Sequence, residues 1–271
     1  MGHGIKICVG VLGAVLCASA HAAQVQDAKQ IVQQAVNAEL AANRDDHSHW
    51  RYVKYLDGNK YVVVETEFGA LKRRVEEGGK PVSAATMAED DQYIQKFIHD
   101  PGMQAKQRRD GAHDDKSATE LLNLMPQAFT WKTESETQET ISLHFEPDPN
   151  FDPPDMEARV MGKMMGTMVI DKAQHRIRTM KGKLSEDINI GFGILGKLHK
   201  GGTFNIERRQ VAPGLWQITE THVHIEGRAL FFKTIGQQQD EVKSDFTQVP
   251  AGTTLEQAVS LLNAPAAVAR R

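Results

Sequence analysis

The chain has 271 residues, with 32 lysines and arginines against 35 aspartates and glutamates and a formal charge of −3. A nearly neutral chain lacks the basic surface of proteins that bind nucleic acid through its phosphates, so nucleic acid is not an expected partner. Ordinary apolar and charged fractions at this length predict one domain with a buried core.

The first 22 residues have the pattern of a signal peptide. Lys6 provides a positive charge, Ile7–Ala18 is a short apolar run, and Ala20-His21-Ala22 has the small residues of a cleavage site. The pattern predicts a mature chain over residues 23–271 in the periplasm. The apolar run is too short to span a bilayer, and no later stretch is long enough for a transmembrane helix. Both cysteines lie in the removed segment, so the mature chain should have no thiol and no disulfide.

Apolar residues then follow a helical period from Val25 to Leu40. This spacing predicts an amphipathic helix that ends between Asn43 and Asp46, with Gln33 and Glu39 outside its apolar face. Three strand signals come next, of which the first two are joined by a hairpin signal, Asp57-Gly58: Trp50–Leu56, Lys60–Phe68 and Ala70–Glu76. The second strand is apolar on both faces, which predicts that it is covered on each side.

A helical insert is predicted at about residues 87–128, interrupted at Pro101-Gly102. Strand signals resume at Phe129–Thr133 and Ile141–Phe145. Asp155 then caps a predicted short helix, Met156–Met165.

The remainder carries repeated strand signals separated by Gly and Pro, which is typical of an antiparallel meander: Met168–Ile170, His175–Leu184, Thr203–Val211, Trp216–Glu226, Arg228–Ile235 and Glu241–Val249. Between the second and third of these, Gly191–Gly202 is expected to form a hairpin or a strand connection. The order of elements predicts an α+β fold, with a curved antiparallel sheet, an incomplete barrel, capped by α-helices.

The segment Gly191–Lys197 has the glycine spacing of a dinucleotide fingerprint and of most of a phosphate-binding loop. Antiparallel strand signals flank it, whereas a dinucleotide site needs a parallel strand and a helix. A phosphate-binding loop would also need Ser or Thr where Leu198 stands. No cofactor is therefore expected.

Two pairs of histidines, His47/His49 and His222/His224, would share a strand face and could hold zinc or copper with a third ligand. Solvated strand histidines are commoner, so we predict no metal site and leave a site at His222 and His224 as an alternative.

Paired acids such as Glu65/Glu67 or Asp90/Asp91 are more often solvating charges than a catalytic pair. The sequence has no Gly-x-Ser-x-Gly and no His-Glu-x-x-His, so catalysis is not expected.

An exported chain with an amphipathic helix, a Trp-bearing strand and hairpin, inserted helices and a long meander resembles the outer-membrane lipoprotein carrier and sorting proteins (LolA/LolB-like). Gly166–Asp171 followed by His175-Arg176-Ile177 carries the same resemblance. The resemblance implies a single half-barrel domain over residues 23–271 that encloses an apolar cavity and carries acyl chains between membranes.

Methionines crowd the predicted short helix and the start of the meander, and this flexible side chain fits variable apolar partners. They could form a lid over a lipid, and Leu230 and Phe232 could line the cavity wall. An ordinary packed core is the alternative. The predicted ligand-binding residues are Met161, Met164, Met165, Met168, Leu230 and Phe232.

The predicted function is that of a periplasmic carrier of a hydrophobic small molecule, lipid or lipoprotein acyl chain. The rival function is a non-catalytic structural or sensor protein whose open sheet docks a partner, such as an outer-membrane component.

Overall fold

A computed structural model describes residues 27–190, 196–229 and 234–264 of the chain. Five helices lie in these ranges: α1 (Ala28–Asp45), α2 (Ala84–His99), α3 (Pro101–Ala128), α4 (Met156–Met161) and α5 (Leu255–Asn263). The same ranges contain thirteen strands: β1 (His49–Leu56), β2 (Asn59–Thr66), β3 (Gly69–Glu77), β4 (Lys80–Pro81), β5 (Phe129–Glu136), β6 (Thr140–Pro147), β7 (Met164–Asp171), β8 (Ile177–Leu184), β9 (Ile188–Ile190), β10 (Gly196–Leu198), β11 (Thr203–Ala212), β12 (Leu215–Ala229) and β13 (Thr234–Val249).

All thirteen strands belong to one antiparallel sheet. Its main path is β4-β3-β2-β1-β13-β12-β11-β8-β7-β6-β5, and the small hairpin of β9 and β10 joins it beside β12. The path has two ends, β4 and β5, so the sheet is not closed into a barrel. Together with the five helices in the described ranges, this sheet confirms the predicted α+β class. The pairing of β1 with β13 brings the first and last long strands together.

The hairpin predicted at Asp57-Gly58 is confirmed. Both residues have positive φ, 49° and 78°, as a tight two-residue hairpin turn requires. The predicted coverage of β2 is also confirmed. Val62 and Val64 pack in a core under α2 and α5, whereas Val63 packs with Trp50 on the opposite face.

The end of the meander differs from the prediction. The sequence suggested three strands between Trp216 and Val249, whereas the structure has two long ones, β12 and β13. Gly227 and Gly236 do not break them, because each is paired inside the ladder, with Ile235 and Glu226 respectively. Backbone pairing between the two strands therefore overrides the local turn signals.

Two glycines face each other where β7 pairs with β8. A Cβ added to Gly166 would lie 2.0 Å from the carbonyl oxygen of Lys181, and one added to Gly182 would lie 2.2 Å from that of Met165. The two backbones therefore approach more closely than any side chain at these positions would permit. A close approach of this kind is typical of places where a sheet bends.

The helical insert matches its prediction, including the break. Asp100 accepts hydrogen bonds from the backbone amides of Gly102 and Met103, so it caps α3 directly after α2 ends. Helix α5 is not among the predicted elements, although Thr254 and Gln257 form a capping box at its start. None of the helices in the described ranges is both long and apolar enough to cross a membrane.

The largest core lies between the sheet and α1, α3 and α4. It gathers alternate residues of β6, namely Ile141, Leu143 and Phe145, each at most 6% exposed. This packing positions α1 and α4 over one face of the half of the sheet that runs from β12 to β5.

Candidate functional site

Helix α4 is shorter than predicted. Its N-cap, Asp155, accepts a hydrogen bond of 2.8 Å from the backbone amide of Ala158, but the helix ends at Met161 rather than at Met165. Gly162 ends it beside the ring of Phe151, where a Cβ would lie 2.8 Å from a ring carbon. Glycine therefore fits at this position, where the backbone amide of Gly162 donates a hydrogen bond of 2.8 Å to the carbonyl oxygen of Ala158 before the chain enters β7 at Met164.

The four predicted methionines in the described ranges do not all share one surface. Met161 of α4 and Met164 and Met168 of β7 contact the largest core, and Met168 is completely buried. Met165 is half-buried and lies on the opposite face of β7, since side chains alternate along a strand. The structure therefore brings together three of the four. The other two predicted residues, Leu230 and Phe232, lie outside the described residues.

Two further methionines belong to the same region. Met125 near the end of α3 is buried in the core, and Met180 of β8 packs against it while half-buried. We call Met125, Met161, Met164, Met168 and Met180 the methionine cluster. Met180 was not singled out from the sequence, because β8 gives no local signal that its face meets α4 and β7.

A buried ion cluster attaches α1 to the sheet. Glu39 of α1 is 1% exposed, and its carboxylate accepts hydrogen bonds of 2.8 Å from Arg176 Nη2 and from the backbone amide of Ile177. Arg208 of β11 forms an ion pair with the same carboxylate. The guanidinium of Arg176 also lies 5.8 Å from the centre of the Trp216 ring, within cation–π range. We call Glu39, Arg176 and Arg208 the Glu39 cluster.

The predicted position of Glu39, outside the apolar face of α1, was wrong. The sequence does contain the signal, because Glu39 follows Ala35 by four residues and Val36 by three, and both are fully buried. Burial alone would raise the pKa of Glu39. The hydrogen bond from Arg176 and the nearby charge of Arg208 outweigh that effect, so the pKa lies below its ordinary value.

A polar cavity of about 400 Å³ opens next to this cluster. It lies beyond the point where β8 and β11 stop pairing. The last paired residues are Thr179 and Glu207, whereas β11 continues unpaired with β8 to Ala212. Its walls include Asp171, Arg178, Glu207, Arg208, Arg209 and Trp216. Burial would raise the pKa of Asp171, but hydrogen bonds from Arg178 and from backbone amides lower it. Asp171 is therefore held as a carboxylate by Arg178.

The histidine pair on β12 shares one acid. Asp240 of β13 places one carboxylate oxygen 2.7 Å from His222 Nδ1 and the other 3.0 Å from His224 Nε2. These two contacts lower the pKa of Asp240. Across the described ranges, no three His, Cys, Asp or Glu side chains are arranged to hold a metal ion.

The paired acids of the sequence have separate structural partners. Glu65 accepts a hydrogen bond of 3.1 Å from the backbone amide of Trp50, and burial raises the pKa of Glu65. Glu67 is exposed in the turn after β2. Asp90 accepts a hydrogen bond of 2.7 Å from the backbone amide of Arg74, and Asp91 pairs with the side chain of Arg73. Glu65 therefore joins β2 to β1, and Asp90 and Asp91 join α2 to β3.

Comparison of the chain with protein-family models, with curated proteins and with solved structures found no match. The resemblance to lipoprotein carriers and the membership of a family therefore stay predictions from the sequence.

Proposed function

We propose that the protein is an exported carrier or binding protein for a lipid or a similar hydrophobic ligand, and that it is not an enzyme. The observation that carries the proposal is the methionine cluster, which lies between an open sheet and the helices that cover it. Methionine side chains are unbranched and flexible, so a core rich in them can repack around an inserted acyl chain. The signal-peptide pattern of the first 22 residues supports a periplasmic site of action.

The way the helices are attached supports the same proposal. Strands of the sheet are joined by backbone hydrogen bonds, whereas α4 packs in the core beneath the sheet through apolar side chains, those of Met161 and Val160. Displacing a short helix that is held by side chains disturbs fewer backbone hydrogen bonds than separating strands. A ligand would therefore enter between α4 and the sheet.

A titration with a fluorescent fatty acid tests the proposal on two matched variants. Met161 and Met156 lie on the same helix, but Met161 is 8% exposed and Met156 is 39% exposed. We expect Met161→Ala to weaken binding by about tenfold or more and Met156→Ala to leave it unchanged. Thermal unfolding is measured on the same samples, because a Met→Ala change in a solid core costs about 2–5 kcal/mol.

The comparison of binding with stability decides the result. If Met161→Ala strongly lowers the unfolding free energy while the folded fraction binds fatty acid normally, the methionines serve packing alone. The proposed ligand site between α4 and the sheet would then have to be abandoned.

A second candidate function is docking of an envelope partner on the sheet edge. Strand β5 ends the sheet, and its residues Lys132–Glu136 are all exposed. An edge strand offers unpaired backbone groups to an added strand. This candidate predicts that fatty acid does not bind and that a proline at Thr133 abolishes partner capture without changing the rest of the fold.

A further inference from the structure

The Glu39 cluster has more positive than negative charge in its buried part. Two guanidinium groups, of Arg176 and Arg208, share the single carboxylate of Glu39. The Nε atoms of both arginines are buried and have no hydrogen-bond partner among the described residues. A buried guanidinium with incomplete compensation is costly, and a nearby anion would relieve that cost.

The other acids at the cavity are already engaged. Asp171 receives two hydrogen bonds from Arg178, at 3.1 and 2.5 Å, and a third from the backbone amide of Gln174 at 2.8 Å. Glu207 lies 3.3 Å from Arg209, whose guanidinium also lies 2.8 Å from Glu220. Arg178 and Arg209 therefore each have a carboxylate partner at the cavity, whereas Arg208 shares the carboxylate of Glu39 with Arg176.

Three guanidinium groups reach the cavity from two strands, Arg178 from β8 and Arg208 and Arg209 from β11. Guanidinium groups bind oxyanions through paired N–H donors, and several of them around one space suit an anion with three or more acceptor oxygens. The indole of Trp216, which is 7% exposed, forms an apolar wall of the same space.

We propose that the cavity between β8 and β11 binds a phosphate group, with Arg208 and Arg178 as its principal donors. The phosphate could be free or could belong to a lipid head group, since both present the same oxygens. The inference rests on the contacts of the cavity and does not require the proposed carriage of an acyl chain.

Binding of inorganic phosphate to the full chain is measured by calorimetry, with chloride at equal ionic strength as the reference because salt screens exposed charges. In a parallel arm, neutral phosphatidylcholine vesicles carry either phosphatidic acid or diacylglycerol with the same acyl chains. Binding in the calorimeter assigns the site to free phosphate. Binding to phosphatidic acid vesicles but not to diacylglycerol vesicles assigns it to a head group.

Variants connect either signal to the cavity. Arg208→Gln and Arg178→Gln should each weaken binding by about tenfold, because each removes charge-assisted hydrogen bonds. Glu207→Gln should strengthen it severalfold, because it removes a negative charge from the wall. Arg109→Gln is the matched control, since Arg109 is exposed on α3 and its loss changes the net charge equally.

Arg208→Gln also disturbs Glu39, and Arg178→Gln removes the partner of Asp171, so thermal unfolding is measured on both variants. Glu207→Gln keeps the test decisive, because Glu207 is half-buried and Arg209 still pairs with Glu220 in that variant. The inference is overturned if neither phosphate nor phosphatidic acid binds. It is also overturned if binding occurs but responds equally to Arg178→Gln and Arg109→Gln. Failure of fatty acid uptake together with Arg178-dependent phosphate binding would reject the carrier proposal and leave this site in place.

Discussion

Glu39 is the residue that most directly links α1 to the sheet. Its carboxylate joins one helix to two strands, β8 through Ile177 and β11 through Arg208, and to Arg176 just before β8. Breaking a buried ion pair by removing one partner typically costs about 3–5 kcal/mol, because the remaining charge stays buried without compensation. At Glu39 two guanidinium groups would lose the carboxylate that they share.

Glu39→Gln should therefore lower the free energy of unfolding by about 3–5 kcal/mol, measured by urea denaturation at neutral pH. Glu120→Gln on α3 is the matched control, since its side chain is 58% exposed and pairs with the exposed Lys116. Exposed pairs of this kind contribute less than about 1 kcal/mol. Equal, small effects of the two substitutions would show that the Glu39 cluster does not hold α1 in place.

The depressed pKa of Glu39 also predicts a dependence of stability on pH. A carboxyl group whose pKa is lower in the folded chain stabilises the fold above its ordinary value of 4.5 and loses that contribution as the pH falls through the folded-state pKa. The free energy of unfolding should therefore fall on acidification below about pH 4.5. Urea denaturation between pH 3 and 7 should give a shallower fall for Glu39→Gln. Parallel curves for the two proteins would contradict the assignment.

At the scale of elements, α3 joins the two halves of the molecule. Its first turns pack near β3, where Gln107 Oε1 accepts a hydrogen bond of 2.7 Å from the backbone amide of Ala70, and its end is buried at Met125 and Ala128. The middle of the helix is exposed from Arg108 to Lys116. That middle is held mainly by its own backbone hydrogen bonds.

Gly111 lies in this exposed stretch, and a Cβ there would meet nothing within 4 Å. Gly111→Ala should raise the free energy of unfolding by about 0.5–1 kcal/mol, because alanine loses less conformational freedom than glycine in a helix. The same substitution at Gly182 should have the opposite sign, since its Cβ would collide with a backbone oxygen at 2.2 Å. Urea denaturation of both variants checks the pair, and destabilisation by Gly111→Ala would contradict the description of this segment.

Several elements could be predicted from the sequence because their signals are local. The spacing of apolar residues predicts α1, and Asp57-Gly58 predicts the hairpin of β1 and β2. Features that depend on distant parts of the chain could not be predicted. The pairing of β1 with β13 and the meeting of Glu39 with Arg208 join residues far apart in sequence. The continuation of β12 through Gly227 depends on its pairing with Ile235 of the next strand.

The candidate site was also predicted only where its signals are local in the sequence. The crowding of methionines in the sequence indicates an unusual apolar region. Which of them reach the core is known only once β7 is placed in the sheet, because Met164 and Met168 face the core and Met165 faces the other side. The residue patterns of β8 and β11 do not single out Arg178 or Arg209. The two side chains line one cavity because the pairing of β8 with β11 ends beside them.

At the scale of the whole molecule, one open sheet is covered by different helices at its two ends. Helices α2 and α5 pack over β2 and β3, whereas α1, α3 and α4 pack over the strands from β12 to β5. The first arrangement contains mainly aliphatic and aromatic side chains such as Leu71 and Phe97, with Met103 packed against it. The second contains the methionine cluster, so it is the part of the fold best suited to accept a variable apolar ligand.

Mass spectrometry of solvent extracts shows whether the protein carries a lipid. The full chain, with its own N-terminal segment, is produced in a bacterium, purified from the envelope fraction without detergent and extracted. We expect a lipid in about one-to-one ratio with the protein, and a strong reduction of that lipid in Met161→Ala but not in Met156→Ala. Repeated preparations that contain no lipid, from protein that also fails to take up fluorescent fatty acid, would contradict it.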